Sequence, residues 1–232
     1  MQCVFLAAGK GVRMQPLTLT TPKALLPVCG KPILEHMFDV LPSDVSEVIL
    51  VVGYRGDQIR AYIGDRHRGI PVTYAVQAEQ LGNFHALASA APLLAPRERF
   101  LVLFSDDLFV KEDIARLAAA KEQSLLVYEV DDPRRFGVVV PDASGHIAEI
   151  EEKPAHPKSR LACCGPAVFT TRILDYPPPL HHAKGEYYIA DAVGRMVKDE
   201  PVGIVRASFW FPVGFPDDLK QAERLVCPAF HE

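Results

Sequence analysis

Through the first 130 residues, short apolar runs rich in β-branched side chains alternate with segments of helical periodicity. This alternation constrains the fold more than any other feature. The run Glu47-Val48-Ile49-Leu50-Val51-Val52-Gly53 has no polar residue between Val48 and Val52, so a strand made of it is buried on both faces. Residues 4–8, 71–76, 99–104 and 124–130 read as further strands. Pro32 opens a helix through about Leu41, with Ile33, Leu34, Met37, Phe38 and Leu41 at helical spacing. Helices are also predicted at 55–63, 84–94 and 111–120. The outcome is an α/β fold with a largely parallel sheet covered on both faces. Ligands of such sheets gather at the C-terminal ends of the strands.

From Asp131 the pattern changes. Residues 136–140, a turn at 142–145, and residues 146–152 read as a β-hairpin, followed by a strand at 163–169. A helix at 186–197, a strand at 202–206 and a helix at 216–226 complete the chain. No Gly/Ser-rich linker or repeat interrupts it. The expectation is one domain over residues 1–232, with a first half to about 130 and a β-rich region inserted in the second half, about 131–232.

The strand at 4–8 runs into a turn with Gly9 and Gly11, and Arg13 and Lys23 follow. A turn built from Ala8, Gly9 and Gly11 lets a ligand approach the backbone. Exposed N–H groups there suit phosphate oxygens, and two nearby cations suit several phosphate charges. The turn therefore reads as a polyphosphate site. It is not the dinucleotide fingerprint, which wants a third glycine where Met14 stands, and no Gly-Lys-Ser/Thr of a P-loop follows. Further along, Gln77 both donates and accepts hydrogen bonds, which suits a uracil or thymine edge. Ser105-Asp106-Asp107 closes the strand at 99–104 on the same edge as the first loop, and Asp107 reads as a cap for the next helix.

The block from Leu6 to Pro32 carries more. Leu6-Ala7-Ala8-Gly9-x-Gly11-x-Arg13-Met14-x-Pro16-Leu17-Thr18 continues into Pro22-Lys23-x-Leu25-Leu26-Pro27-Val28-x-Gly30-Lys31-Pro32. This closely resembles the signature of the sugar-1-phosphate nucleotidylyltransferases, the nucleoside-diphosphate-sugar pyrophosphorylases. Phe136-Gly137-Val138-Val139, Glu151-Glu152-Lys153-Pro154, Cys164-Gly165-Pro166-Ala167-Val168-Phe169 and Gly185-Glu186-Tyr187-Tyr188-Ile189-Ala190-Asp191 extend the likeness through most of the chain. The resemblance implies a Rossmann-like three-layer core with a mainly parallel mixed sheet, glycosyltransferase-A-like, and an inserted β-rich sugar-binding region. It implies transfer of a nucleotidyl group from a nucleoside triphosphate, dTTP or UTP, to a sugar 1-phosphate with release of pyrophosphate. Leu6, Ala8, Gly9, Gly11, Arg13, Lys23, Gln77 and Gly82 would then bind the nucleotide. Gly137, Glu152, Lys153 and Gly165 would bind the sugar. Arg13, Lys23, Asp106 and Lys153 would act in catalysis, and Asp106 would hold Mg²⁺.

Three positions depart from the family pattern. Val12 stands where a threonine is usual, and Asn83 where a small or hydroxyl residue is usual. The family ends with Trp-x-Asp-x-Gly-Thr-Pro, whose aspartate is a second Mg²⁺ ligand; here the stretch is Trp210-Phe211-Pro212-Val213-Gly214-Phe215-Pro216. Pro212 has no carboxylate. Pro212 motivates a second reading, a catalytically weak or inactive nucleotide-sugar-binding module; a third, cytidylyl transfer to a non-sugar phosphate, uses the same N-terminal block, and Glu152-Lys153 favours a sugar over it.

Net charge is −4, which gives no reason to expect nucleic acid or an anionic membrane as a partner. No apolar run approaches the roughly 20 residues of a membrane span, and the N-terminus reads as having no signal peptide. A cytoplasmic protein is expected, and a homo-oligomer is allowed. The five cysteines include no Cys-x-x-Cys, so reduced, mostly buried thiols are predicted.

Overall fold

The computed structural model describes residues 1–181 and 185–227. In chain order its strands are β1 (Gln2–Ala7), β2 (Pro27–Val28), β3 (Lys31–Pro32), β4 (Glu47–Val52), β5 (Arg66–His67), β6 (Ile70–Val76), β7 (Phe100–Phe104), β8 (Asp107–Phe109), β9 (Ser124–Glu129), β10 (Gly137–Pro141), β11 (Ile147–Glu152), β12 (Leu161–Phe169), β13 (Gly203–Arg206) and β14 (Trp210–Pro212). The helices are α1 (Ile33–Asp39), α2 (Gly56–Ile63), α3 (Asn83–Ser89), α4 (Lys111–Ala118), α5 (Ile189–Met196) and α6 (Pro216–Val226). Among the described residues no helix is long and apolar enough to cross a membrane.

Ten strands form one sheet, in the order β11-β10-β12-β7-β1-β4-β6-β5, with β9 attached to β12 and β13 to β9. The central strands β7, β1, β4 and β6 run parallel, as do β9 and β13. β12 lies antiparallel to β7, β9 and β10, and β10 to β11. This is the mainly parallel mixed sheet expected of the sequence, with the β-rich segment continuing its edge.

Alternate side chains feed two apolar layers, as the two-residue period of a strand requires. Cys3, Phe5, Ala7, Val48, Leu50 and Val52 join one layer, and Val4, Leu6, Ala8, Ile49 and Val51 join the other. Phe5 and Leu50 are wholly buried, and each such side chain stabilises the fold by about 1.5–3 kcal/mol relative to exposure. A third cluster holds Met14, Leu26, Val28, Ile33, Leu108, Val213, Ala222 and Val226. It packs the loop after β1 against α6.

Four expectations need correction. The helix predicted from 186 begins at Ile189. The residues before it run extended along the 81–84 loop, where Tyr187 N donates to Leu81 O at 2.8 Å and Tyr187 O accepts from Phe84 N at 3.0 Å. α3 stops at Ser89, and a separate 3₁₀ turn at Ala91–Leu93 carries Pro92, since proline cannot continue the α-helical ladder. Asp107 caps nothing: it begins β8, and α4 starts after Val110 with no side-chain cap. Finally, not all the thiols are free. Cys29 and Cys227 form a disulfide across 198 residues, a pairing no local spacing could reveal, while Cys3, Cys163 and Cys164 stay free.

Candidate active site

Beyond β1 the chain turns at Gly11, whose φ of +61° suits glycine; a Cβ there would lie 2.9 Å from Thr18 Cγ2. The buried Thr18 hydroxyl donates to Gly11 O at 2.8 Å, and Met14 N donates to the same carbonyl at 2.8 Å. These bonds hold a 3₁₀ turn, Val12–Met14, that buries Met14 and leaves Arg13 exposed. A second 3₁₀ turn, Lys23–Leu25, sets Lys23 opposite the end of β7. There Lys23 Nζ meets Asp106 Oδ2 at 2.8 Å. The Ser105 hydroxyl donates to Leu6 O at 2.8 Å and so fastens the two strand ends together.

Two cavities meet at this edge of the sheet. The first, about 450 Å³, is lined by the eight residues expected at the nucleotide: Leu6, Ala8, Gly9, Gly11, Arg13, Lys23, Gln77 and Gly82. The second, about 580 Å³, is lined by Gly137, Glu152, Lys153 and Gly165, the four expected at the sugar. Arg13, Lys23 and Asp106 line both cavities, and Lys153 lines only the second. The fold thus gathers every candidate into one double cavity.

Gln77 is 4% exposed. Its amide nitrogen donates to Gly82 O at 2.9 Å and lies 3.3 Å from His85 Nδ1. Asn83 accepts from Ile189 N at 2.8 Å and ties α3 to α5. At the second cavity, β12 changes register between Cys163 and Ala167. Gly165 sits in that irregularity at φ +102°, and a Cβ on it would strike the Phe104 ring at 2.8 Å. A Cβ on Gly137 would lie 3.2 Å from the Glu152 carboxylate. Lys153 Nζ pairs with Glu152 and stands 5.1 Å from the centre of the Tyr188 ring.

The electrostatics of the double cavity are mixed. Burial, then the charge of Asp106, pushes the Asp107 carboxyl up to about 8, against the pull of Lys23 and of its hydrogen bond to Trp210. Burial and a bond to Glu186 raise the Tyr188 phenol. Burial, then the charge of Glu152, raises Asp191. Burial pushes the thiol of Cys163, on the wall of the second cavity, up to about 11.

Sequence reasoning missed several residues at the site. Arg135 lines the second cavity, and its guanidinium carbon lies 5.7 Å from the centre of the Phe215 ring that Arg13 approaches at 5.3 Å. Two cations thus flank one ring. Glu186 and Tyr188 line both cavities. Their signal was present, since they lie inside the Gly185-to-Asp191 match, and Arg135 directly precedes Phe136-Gly137.

Asp106 could hold a divalent ion. Its side chain is 38% exposed, and the ammonium group on Oδ2 shows that its oxygens face a cation. Among the described residues no group of three or more His, Cys, Asp or Glu could hold a metal. A cation here would therefore take few protein ligands and complete its shell with phosphate and water, as Mg²⁺ commonly does.

A profile of the nucleotidyl transferase family matches residues 2–227. The UTP–glucose-1-phosphate uridylyltransferase AglF of Haloferax volcanii is 35% identical, over 97% of this chain and 96% of its own length. A glucose-1-phosphate thymidylyltransferase of Streptomyces griseus is 33% identical, over 97% of this chain and 66% of its own length. A crystal structure from Bacillus anthracis, assigned to the glucose-1-phosphate thymidylyltransferases and solved with a sucrose, superposes with a TM-score of 0.85 at 30% identity, covering 97% of this chain and 94% of the other. The chain belongs to the nucleotidyl transferase family, among the sugar-1-phosphate nucleotidylyltransferases that its N-terminal block resembles.

Proposed function

We propose that this enzyme transfers a nucleotidyl group from UTP or dTTP to a sugar 1-phosphate, releasing pyrophosphate and forming a nucleotide sugar. The observation that carries the reading is the sharing of Arg13, Lys23 and Asp106 between two adjoining cavities. An oxygen of the sugar phosphate attacks the α-phosphorus, a new P–O bond forms, and the bond to pyrophosphate breaks. A sugar phosphate is already anionic near neutral pH, so positioning and charge neutralisation do the work. Arg13 faces the leaving pyrophosphate, Lys23 spans the phosphates, and Lys153 receives the attacking phosphate. Mg²⁺ at Asp106 would neutralise phosphate charge and orient the triphosphate.

The base is read from Gln77. Its amide nitrogen is spent on Gly82 O, which leaves the amide oxygen to accept from the imide N–H of uracil or thymine. The names of the relatives agree with both bases and point to glucose 1-phosphate as the first sugar to try. On this reading residues to about 130 serve the nucleotide, later residues serve the sugar, and the enzyme works in the cytoplasm. Pyrophosphate release over a panel of nucleoside triphosphates and sugar 1-phosphates tests it. Turnover should be highest with UTP or dTTP. Tight nucleotide-sugar binding without turnover would establish the module reading that Pro212 motivates, and turnover with CTP and a non-sugar phosphate would establish the third.

A further inference from the structure

We propose that Asp107 supplies a second protein carboxylate, beside Asp106, to the divalent cation of the reaction; the proposal rests on the nucleotidyl-transfer reading. Consecutive residues of a regular strand point to opposite faces. Here the chain leaves β7 at Phe104, turns through Ser105 and Asp106, and enters β8 at Asp107. The turn removes the alternation, and both aspartates line the second cavity with Arg13 and Lys23.

The two-stranded ribbon of β8 and β14 explains why position 107 matters in this chain. Pro212 lies directly opposite Asp107 in the antiparallel register. Residues so paired have Cβ atoms about 4.5–5.5 Å apart. A carboxylate on Asp107 therefore reaches the region that an acidic side chain at 212 would serve, and in this chain position 212 offers none. Trp210 Nε1 donates to Asp107 Oδ2 at 2.9 Å. That bond and one from the Val213 backbone N–H fix the carboxylate, whose remaining lone pairs are the oxygen donors. Among the described residues the cation bonded to this pair is Lys23, on Asp106 Oδ2. A divalent ion would balance both carboxylates with hard oxygen ligands and draw the remainder of its shell from water and phosphate. If Asp107 served only as an acceptor for Trp210, asparagine would serve as well, because its amide oxygen accepts the same bond.

The chain holds one tryptophan, so the proposed ligand is hydrogen-bonded to the sole indole fluorophore. Mn²⁺ quenches indole emission at short range and is added here alone, without substrates, to the full chain. Wild type should show saturable quenching. Asp107→Asn should weaken apparent Mn²⁺ affinity about 10-fold or more, within the range for loss of groups that build a metal site, with circular dichroism unchanged. Asp107→Asn/Pro212→Asp should recover part of the affinity, which a merely misfolded single variant could not explain. Unchanged affinity in Asp107→Asn, or no saturable quenching in wild type, overturns the proposal. Loss in Asp106→Asn with none in Asp107→Asn overturns it while leaving Asp106 as the metal residue. The pyrophosphate panel reports separately on nucleotidyl transfer.

Discussion

Lys153 holds a backbone conformation rarely adopted by non-glycine residues, with φ +50°. Its N–H donates to Phe136 O at 2.9 Å, which locks the end of β11 against the start of β10. Alanine at 153 would keep that bond and bear similar backbone strain, so the fold should survive while the ammonium is lost. Lys153 lines the second cavity and not the first. Lys153→Ala should therefore raise KM for the sugar 1-phosphate, by the equivalent of about 1.5–3 kcal/mol for a lost charged contact. KM for the nucleotide should change little. Steady-state kinetics with each substrate varied in turn decides this, and an equal rise in both would assign Lys153 to the triphosphate. Arg13 and Lys23 call for a different outcome, since both line the two cavities. Arg13→Ala and Lys23→Ala should each lower kcat/KM by a similar energy, and near-wild-type turnover in both would remove the phosphate site. Such residues were legible because a charge beside a glycine turn has few structural uses. Tyr188 and Glu186 were legible only through the Gly185-to-Asp191 resemblance: by pattern alone they read as an ordinary helix start, and tertiary pairing with residues 81–84 makes them a cavity wall.

The elements were more legible than their edges. β1, β4 and β7 announced themselves because strands buried on both faces need unbroken apolar runs. β8 and β14 did not, since each has three residues and exists only by pairing with the other. The start of α6 shows how such an edge reaches the site. Asp218 Oδ2 accepts from Gly214 N and from Phe215 N, both at 2.7 Å. This satisfies N–H groups at the helix entrance and fixes Phe215, the ring between Arg13 and Arg135. Asp218→Ala should cost about 0.5–2 kcal/mol of stability, as loss of a capping carboxylate does. It should also lower kcat/KM, because the Arg13 guanidinium loses its platform. Urea unfolding and kinetics on one preparation test the pair of effects; a stability loss with unchanged kinetics would mean that Phe215 does not position Arg13.

At the scale of the molecule, the loop that carries the candidate nucleotide site is packed against α6. Ala222 and Val226 of α6 pack with Met14, Leu26, Val28 and Ile33, and Cys227 at the end of that helix joins Cys29 in the β2–β3 hairpin. The bridge spans 198 residues. A crosslink over so long a loop removes much freedom from the unfolded chain, and measured stabilisations are typically about 2–4 kcal/mol. Cys227→Ser should lower the urea midpoint of an oxidised sample by a corresponding amount, with the slope reporting any change in the unfolded state. A reductant should bring wild type down to the variant and leave the variant where it is. In a reducing cytoplasm the pair would stand as thiols, so α6 would then depend on its apolar face and its Asp218 cap. That face buries two small side chains, Ala222 and Val226. Reduced protein should therefore exchange the amide hydrogens of α6 faster than those of β1 and β4, whose side chains are buried on both faces. Uniform exchange across α6 and the central strands, or equal midpoints with and without reductant, would show that the bridge adds nothing to the packing.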